Sequence, residues 1–152
     1  VHGNEPSHHV AYMYNWAGKP WKTQERIHQI VNTMYLNKPD GLCGNDDCGQ
    51  MSAWYIFSSL GFYPVAPGSG MYAIGSPSVS KGILTLPGGK KLTVRAQNLS
   101  EKNIYVKSVS LNGKAVDTSF ISHQEISGGG ELLFEMSSRP NKKRAVKNIP
   151  EI

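Results

Sequence analysis

Residues that could do chemistry concentrate in two short stretches. Gly41-Leu42-Cys43-Gly44-Asn45-Asp46-Asp47-Cys48-Gly49-Gln50 sets two adjacent carboxylates and an amide among three glycines, directly before an apolar run from Met51 to Leu60. Glycine admits positive φ, so such a loop can turn several side chains toward one point. Adjacent acids repel and cost stability unless solvent or a cation answers them. Either they form a solvated turn that caps the next helix, Asp and Asn being preferred N-caps, or they hold a cation or accept a proton; spacing alone leaves both readings open. The second stretch, Val1-His2-Gly3-Asn4-Glu5-Pro6-Ser7-His8-His9, also precedes a helical pattern. If the two helices are neighbours, the loops meet at one end and Glu5 shares a point with Asp47 and the amide oxygens of Asn4 and Asn45. Oxygen-only donors favour a hard cation such as calcium. The acidic loop lacks the alternating acids and closing Glu of an EF-hand. His2, His8 and His9 raise a zinc alternative, but consecutive histidines on a helix face different ways, so calcium is the expectation. Cys43 and Cys48 flank the acids without the C-x-x-C spacing of a zinc site; a short disulfide and two thiols both remain open.

The elements that must position these side chains follow from periodicity. Ser7 can cap a helix over His8–Trp16, which Gly18-Lys19-Pro20 ends. Arg26, Ile27, Ile30, Val31 and Met34 give the spacing of a second helix over Trp21–Tyr35, stopped by Lys38-Pro39-Asp40-Gly41. Gln50–Leu60 reads as a third helix, apolar on most sides and therefore buried. Three short helices cannot cover so much apolar and aromatic surface, which implies a piece of a larger helical assembly.

After Gly61-Phe62-Tyr63-Pro64 the period changes from helical to alternating. Strands are expected at 72–75, 83–86, 92–96, 104–111 and 131–136, separated by Pro87-Gly88-Gly89-Lys90, Asn112-Gly113-Lys114 and Gly128-Gly129-Gly130. Tyr105, Lys107, Val109 and Leu111 fall on one face of such a strand. Asn112-Gly113 is a strong hairpin signal. Short strands at regular turns predict an antiparallel β-sandwich. The fold class expected is thus α+β, with a boundary near Gly61 to Gly70: helices over 1–61, strands over 62–140 and a basic tail over 141–152.

Composition excludes several classes. The 152 residues are 39% hydrophobic and 18% charged, with a net charge of +5. Arg139, Lys142, Lys143, Arg144 and Lys147 hold five of the 16 basic residues, so the body is nearly neutral and the tail reads as a frayed, solubilising end. No basic stripe for nucleic acid is evident. No apolar run approaches the roughly 18–20 residues of a membrane span.

Several segments carry a specific resemblance: Val-His-Gly-Asn-Glu-Pro-Ser-His-His at 1–9, Ala-Gly-Lys-Pro-Trp-Lys-Thr-Gln at 17–24, Gly-Asn-Asp-Asp-Cys-Gly-Gln-Met-Ser-Ala-Trp-Tyr at 44–55 and Leu-Gly-Phe-Tyr-Pro-Val-Ala-Pro-Gly at 60–68. The chain resembles the C-terminal part of glycoside hydrolase family 92, the calcium-dependent, inverting exo-α-mannosidases common in glycan-degrading gut bacteria. The resemblance implies the last helices of an (α/α)6 barrel followed by a C-terminal β-sandwich, and a periplasmic or extracellular enzyme acting on mannose-containing glycans. It implies Asp47 as general base, with Asn45 standing where some members carry a further acid. It implies Asn4, Glu5 and Asp47 near the calcium ion, and His2, Glu5 and Asp46 on the substrate. The general acid would come from the N-terminal remainder of the enzyme, so this chain alone is expected to be inactive. The rival readings are a carbohydrate-binding module using Tyr63, Tyr72 or Tyr105, and a purely structural sandwich.

Overall fold

The computed structural model describes residues 2–145 and 149–150. The predicted first helix does not form. Instead two single 3-10 turns, Glu5–Ser7 and Val10–Tyr12, are followed by further turns held through i→i+3 bonds such as Asn15 N to the Tyr12 carbonyl, 3.0 Å. Tertiary anchors outweigh local propensity here. Tyr12 is fully buried with its hydroxyl 2.8 Å from Ser58 Oγ, and Asn15, also buried, donates to the carbonyls of Ile74 and Ser119.

Helix α1 (Pro20–Thr33) starts with a proline at its first position, where the missing N–H has no helical partner to lose. It buries Thr23, Gln24, Ile27 and Val31. Helix α2 (Gln50–Leu60) runs between two glycines in the left-handed region, Gly49 and Gly61. Met51, Trp54, Ser58 and Leu60 are buried, whereas Tyr55 and Ile56 are 39% and 56% exposed. Burial of α2 is therefore one-sided, not all round as its composition suggests.

Two sheets follow. Strands β1 (Phe62–Tyr63), β2 (Met71–Ile74) and β7 (Phe120–Ser122) form an antiparallel three-stranded sheet. Strands β3 (Lys81–Thr85), β4 (Lys91–Gln97), β5 (Tyr105–Leu111), β6 (Lys114–Ala115) and β8 (Gly130–Ser137) form a five-stranded sheet in the order β3-β4-β8-β5-β6. The sandwich is not wholly antiparallel, because β4 and β8 pair in parallel. Parallel neighbours need a long crossover. Here it runs through β5, β6, the other sheet and the short helix α3 (His123–Ser127).

One apolar core lies between the sheets, with Ile74 and Ile121 from the first and Leu92, Val94, Val106, Leu132, Phe134 and Met136 from the second. The Asn112-Gly113 hairpin forms as read, both residues at positive φ. The alternation expected across β5 is broken. A bulge between Val106 and Ser108 adds one residue, so Val106, not Tyr105 or Lys107, joins Val109 and Leu111 inside. The tail also departs from expectation at Arg144. Its Nη2 donates to the carbonyls of Val116 and Thr118, and Ala145 is buried with its carbonyl accepting from Ser119 Oγ. Lys147 lies outside the described residues.

Candidate functional site

The two polar stretches lie against each other. A Cβ on Gly3 would meet the Cys43 carbonyl oxygen at 2.7 Å, and one on Gly44 would collide with the Gly3 carbonyl. Only glycine permits this approach of two backbones. Next to it, side chains stitch the stretches together. Gln50 Nε2 donates to His8 Nδ1 at 3.2 Å and to the Tyr63 hydroxyl at 3.1 Å. That leaves the His8 proton on Nε2, 3.2 Å from Met51 Sδ. Trp54 Nε1 donates to the His8 carbonyl at 3.0 Å. Burial lowers the pKa of His8, and the charges of Glu5 and Asp47 oppose that shift without reversing it.

The acidic turn itself is held from α2. Asp46 Oδ1 accepts from the Ser52 N–H at 2.9 Å and the Ser52 hydroxyl at 2.8 Å, and the Asp46 carbonyl accepts from Gly49 N and Met51 N. Asp47 and Cys48 follow at φ 49° and 57°. Left-handed backbone is costly for non-glycine residues and persists only where surrounding contacts impose it. Asn45, Asp46 and Asp47 are exposed, as is Glu5. Asn4 Oδ1 accepts from the Glu5 N–H, capping the first 3-10 turn. Cys43 and Cys48 are both exposed free thiols.

His2 packs among aromatic rings. It is 6% exposed, wedged between Trp54 (ring centroids 4.1 Å apart) and His8 (4.9 Å), with Nε2 2.7 Å from the Tyr35 hydroxyl. Burial, then the neighbouring His8, lowers its pKa to about 4. Both imidazoles are thus neutral at pH 7 and oppose no cation nearby. Among the described residues, no three His, Cys, Asp or Glu side chains gather closely enough to hold a metal unaided. The donors are right in kind for calcium, which takes six to eight oxygens, and too few in number.

Sequence reasoning missed Tyr35, Gln50, Ser52 and Trp54, which hold the turns. Gln50 and Ser52 carried a signal, since both sit in the first turn after the acids. Burial keeps the Tyr35 hydroxyl protonated by raising its pKa; nothing in the letters around it marked its role.

The chain thus sets carboxylate-bearing turns beside packed helices, backed by a β-sandwich. It belongs to glycosyl hydrolase family 92, whose catalytic domain it matches over residues 1–138. The family GH92 alpha-mannosidase BT3965 from Bacteroides thetaiotaomicron, solved with mannoimidazole, is similar with a TM-score of 0.95 and 51% identity, over 99% of this chain and 20% of that one. The family GH92 inverting mannosidase BT2199 from the same organism is similar with a TM-score of 0.89 and 42% identity, over 96% and 20%. An uncharacterized secreted glycosidase of Arthroderma benhamiae is 34% identical over 133 residues, 86% of this chain and 17% of that protein. The chain thus spans about a fifth of the length of these relatives.

Proposed function

We propose that the chain is the C-terminal part of an inverting, calcium-dependent exo-α-mannosidase acting on α-mannosidic bonds of N-glycans or mannans outside the cytoplasm. Residues 1–61 belong to the end of an (α/α)6 barrel, residues 62–140 to the sandwich that braces it, and 141–152 to its tail. The observation that supports this reading is the interlock of Gly3 with Cys43 and Gly44, each glycine one position before a residue of the polar turns, Asn4 and Asn45. The exposed Tyr55 and Ile56 on α2 suit a helix with further helical neighbours in the parent enzyme.

In this reading Asp47, exposed at the end of the acidic turn, takes the proton from the attacking water. Inversion needs an acid across the ring, about 6.5–9.5 Å away; that acid comes from the N-terminal remainder. Asn4, Glu5 and Asp47 would hold calcium together with water, sugar hydroxyls and residues outside this chain. When bound, the ion supplies a hard positive charge to the 2- and 3-hydroxyls of mannose. Glu5 contributes to the sugar side as well. Asn45 stays beside the reacting water without a carboxylate, and Asp46 and His2 border the sugar through the turns they hold. The rival binding-module reading gains nothing from the tyrosines. Tyr63 is buried, Tyr72 packs on Phe57 and Phe62, and the Tyr105 hydroxyl is bonded to Glu25.

The test is hydrolysis of an α-linked mannobiose followed by NMR. The full-length enzyme is expected to release β-mannose first, with loss of activity on chelation, and the isolated chain to give background only. Initial release of the α-anomer, or calcium-dependent turnover by the isolated chain, overturns the assignment.

A further inference from the structure

Tyr35 touches both sides of the interlock. Its single hydroxyl lies 2.7 Å from His2 Nε2 and donates to the Met51 carbonyl at 3.3 Å. With the hydroxyl proton on Met51, His2 donates from Nε2, the tautomer a neutral histidine can supply. His2 lies two positions before Asn4, and Met51 lies four after Asp47, its own N–H on the Asp46 carbonyl. The chain around Tyr35 is tied in as well, since Tyr35 forms an isolated antiparallel bridge with Leu42 at the entrance to the acidic loop. The ring itself is already fixed without the oxygen. It stacks on Trp54 with centroids 5.8 Å apart and planes 4° from parallel.

A tyrosine needed only for packing requires one partner for its hydroxyl. This one has two, each reaching a different polar turn through one short segment. We propose that Tyr35 is a positioning residue, whose hydroxyl sets the separation between the turn carrying Asn4 and Glu5 and the turn carrying Asp47. The proposal rests on the reading of Asp47 as general base. Tyr35 touches neither sugar nor water in this role; it acts through His2 and Met51. Groups that orient reacting or ligating residues in this way typically cost ten- to a hundredfold in activity when removed, because small misplacements of a reacting group are expensive.

The experiment compares Tyr35→Phe, Asp47→Asn, the double variant and Asp117→Asn in the full-length enzyme, with an α-linked mannobiose as substrate. Tyr35→Phe keeps the stacked ring and removes only the oxygen. Its kcat is expected to fall about ten- to a hundredfold with KM changed less than about threefold. In the Asp47→Asn background the same substitution is expected to add less than about twofold, because a group that works by placing Asp47 has nothing left to place. Asp117→Asn, exposed on the sandwich, is expected to match wild type. A Tyr35→Phe enzyme within twofold of wild type overturns the proposal, as does a full multiplicative loss on top of Asp47→Asn or an equal loss in Asp117→Asn. If Asp47→Asn itself keeps wild-type kcat, the base assignment fails and takes the proposal with it; if only Tyr35→Phe is silent, the base assignment stands.

Discussion

Around Trp54 the chain is held by rings and side-chain hydrogen bonds, whereas around Phe134 it is held by strand ladders and aliphatic packing. The first region joins Tyr12, Tyr35, Tyr63, His2 and His8 to one indole at centroid separations of 4.1 to 6.3 Å. Its polar bonds span long stretches of sequence: His2 to Tyr35, His8 to Gln50 and Met51, Tyr12 to Ser58. The second region buries Leu92, Val94, Val106, Leu132 and Met136 around Phe134. Backbone strain divides in the same way. In the sandwich Asn98 and Asn112 stand singly at positive φ, a type that tolerates it as Asp does, while the acidic turn sets Cys48, which does not, directly after Asp47. Apolar burial stabilises without fixing direction; a connected polar network, fully satisfied, specifies one geometry. The region that must hold two loops at a set distance uses the second device.

The largest test of that division is functional. Asp47→Asn in the full-length enzyme is expected to lower kcat by about 10²- to 10⁴-fold, the usual worth of a general base, while Asp117→Asn on the sandwich surface leaves it within twofold. Steady-state kinetics decide. Next come the two cores. Trp54→Ala and Phe134→Ala should each destabilise the chain by about 3–5 kcal/mol in urea titrations. If the comparison is right, only Trp54→Ala also exposes the His8 carbonyl and frees the polar turns, read as faster amide exchange at Gly44 to Gly49 than at β4 and β8.

Acid should then separate the regions. Burial holds His2 at about pKa 4 against an ordinary 6.5 and lowers His8 in the same direction. Between those values the unfolded chain takes up a proton that folded His2 refuses. Stability is therefore full above about pH 6.5 and falls as the pH drops toward 4. The His2 shift corresponds to about 3 kcal/mol undamped, and to about 1–2 kcal/mol once solvent screening is allowed for. Urea midpoints at pH 7 and pH 4.5 measure it, and His2→Asn should flatten the dependence.

What could be read from the letters follows the same line between burial and direction. The bounds of α2 were legible because Gly49 and Gly61 bracket an apolar run, and the β5–β6 hairpin because Asn112-Gly113 meets a turn that demands positive φ. The bulge in β5 was not, since one extra residue leaves no compositional mark and reverses every phase before it. The helix expected at His8–Trp16 failed because Tyr12 and Asn15 answer to Ser58, Ile74 and Ser119, partners distant in sequence. Helix α3 went unread although Ser122 and Glu125 spell a capping box. Asn4, Glu5 and Asp47 were singled out by type and resemblance, yet the groups that hold their turns, Tyr35, Gln50 and Trp54, are ordinary core letters. Their role exists only in the contacts between the two loops.

The smallest effect compares two helix starts. Ser122 caps α3 in a reciprocal box, its Oγ accepting from the Glu125 N–H at 3.2 Å while Glu125 Oε2 accepts from the Ser122 N–H at 2.7 Å. Asp46 does the corresponding work for α2 through Ser52. Removing a cap of either kind costs about 1 kcal/mol, and Ser122→Ala should show that amount in full. Asp46→Ala should show less. Without its carboxylate the turn can relax, and Asp47 and Cys48 leave the left-handed region, returning a strain of about 1 kcal/mol or more each. The two variants, unfolded in urea side by side, therefore differ in a stated direction. A larger loss for Asp46→Ala than for Ser122→Ala would mean that the acidic turn stores no strain and that its shape is its own preference. A smaller loss, together with lower activity in the full-length enzyme, would mean that Asp46 holds Asp47 in a posture the backbone resists.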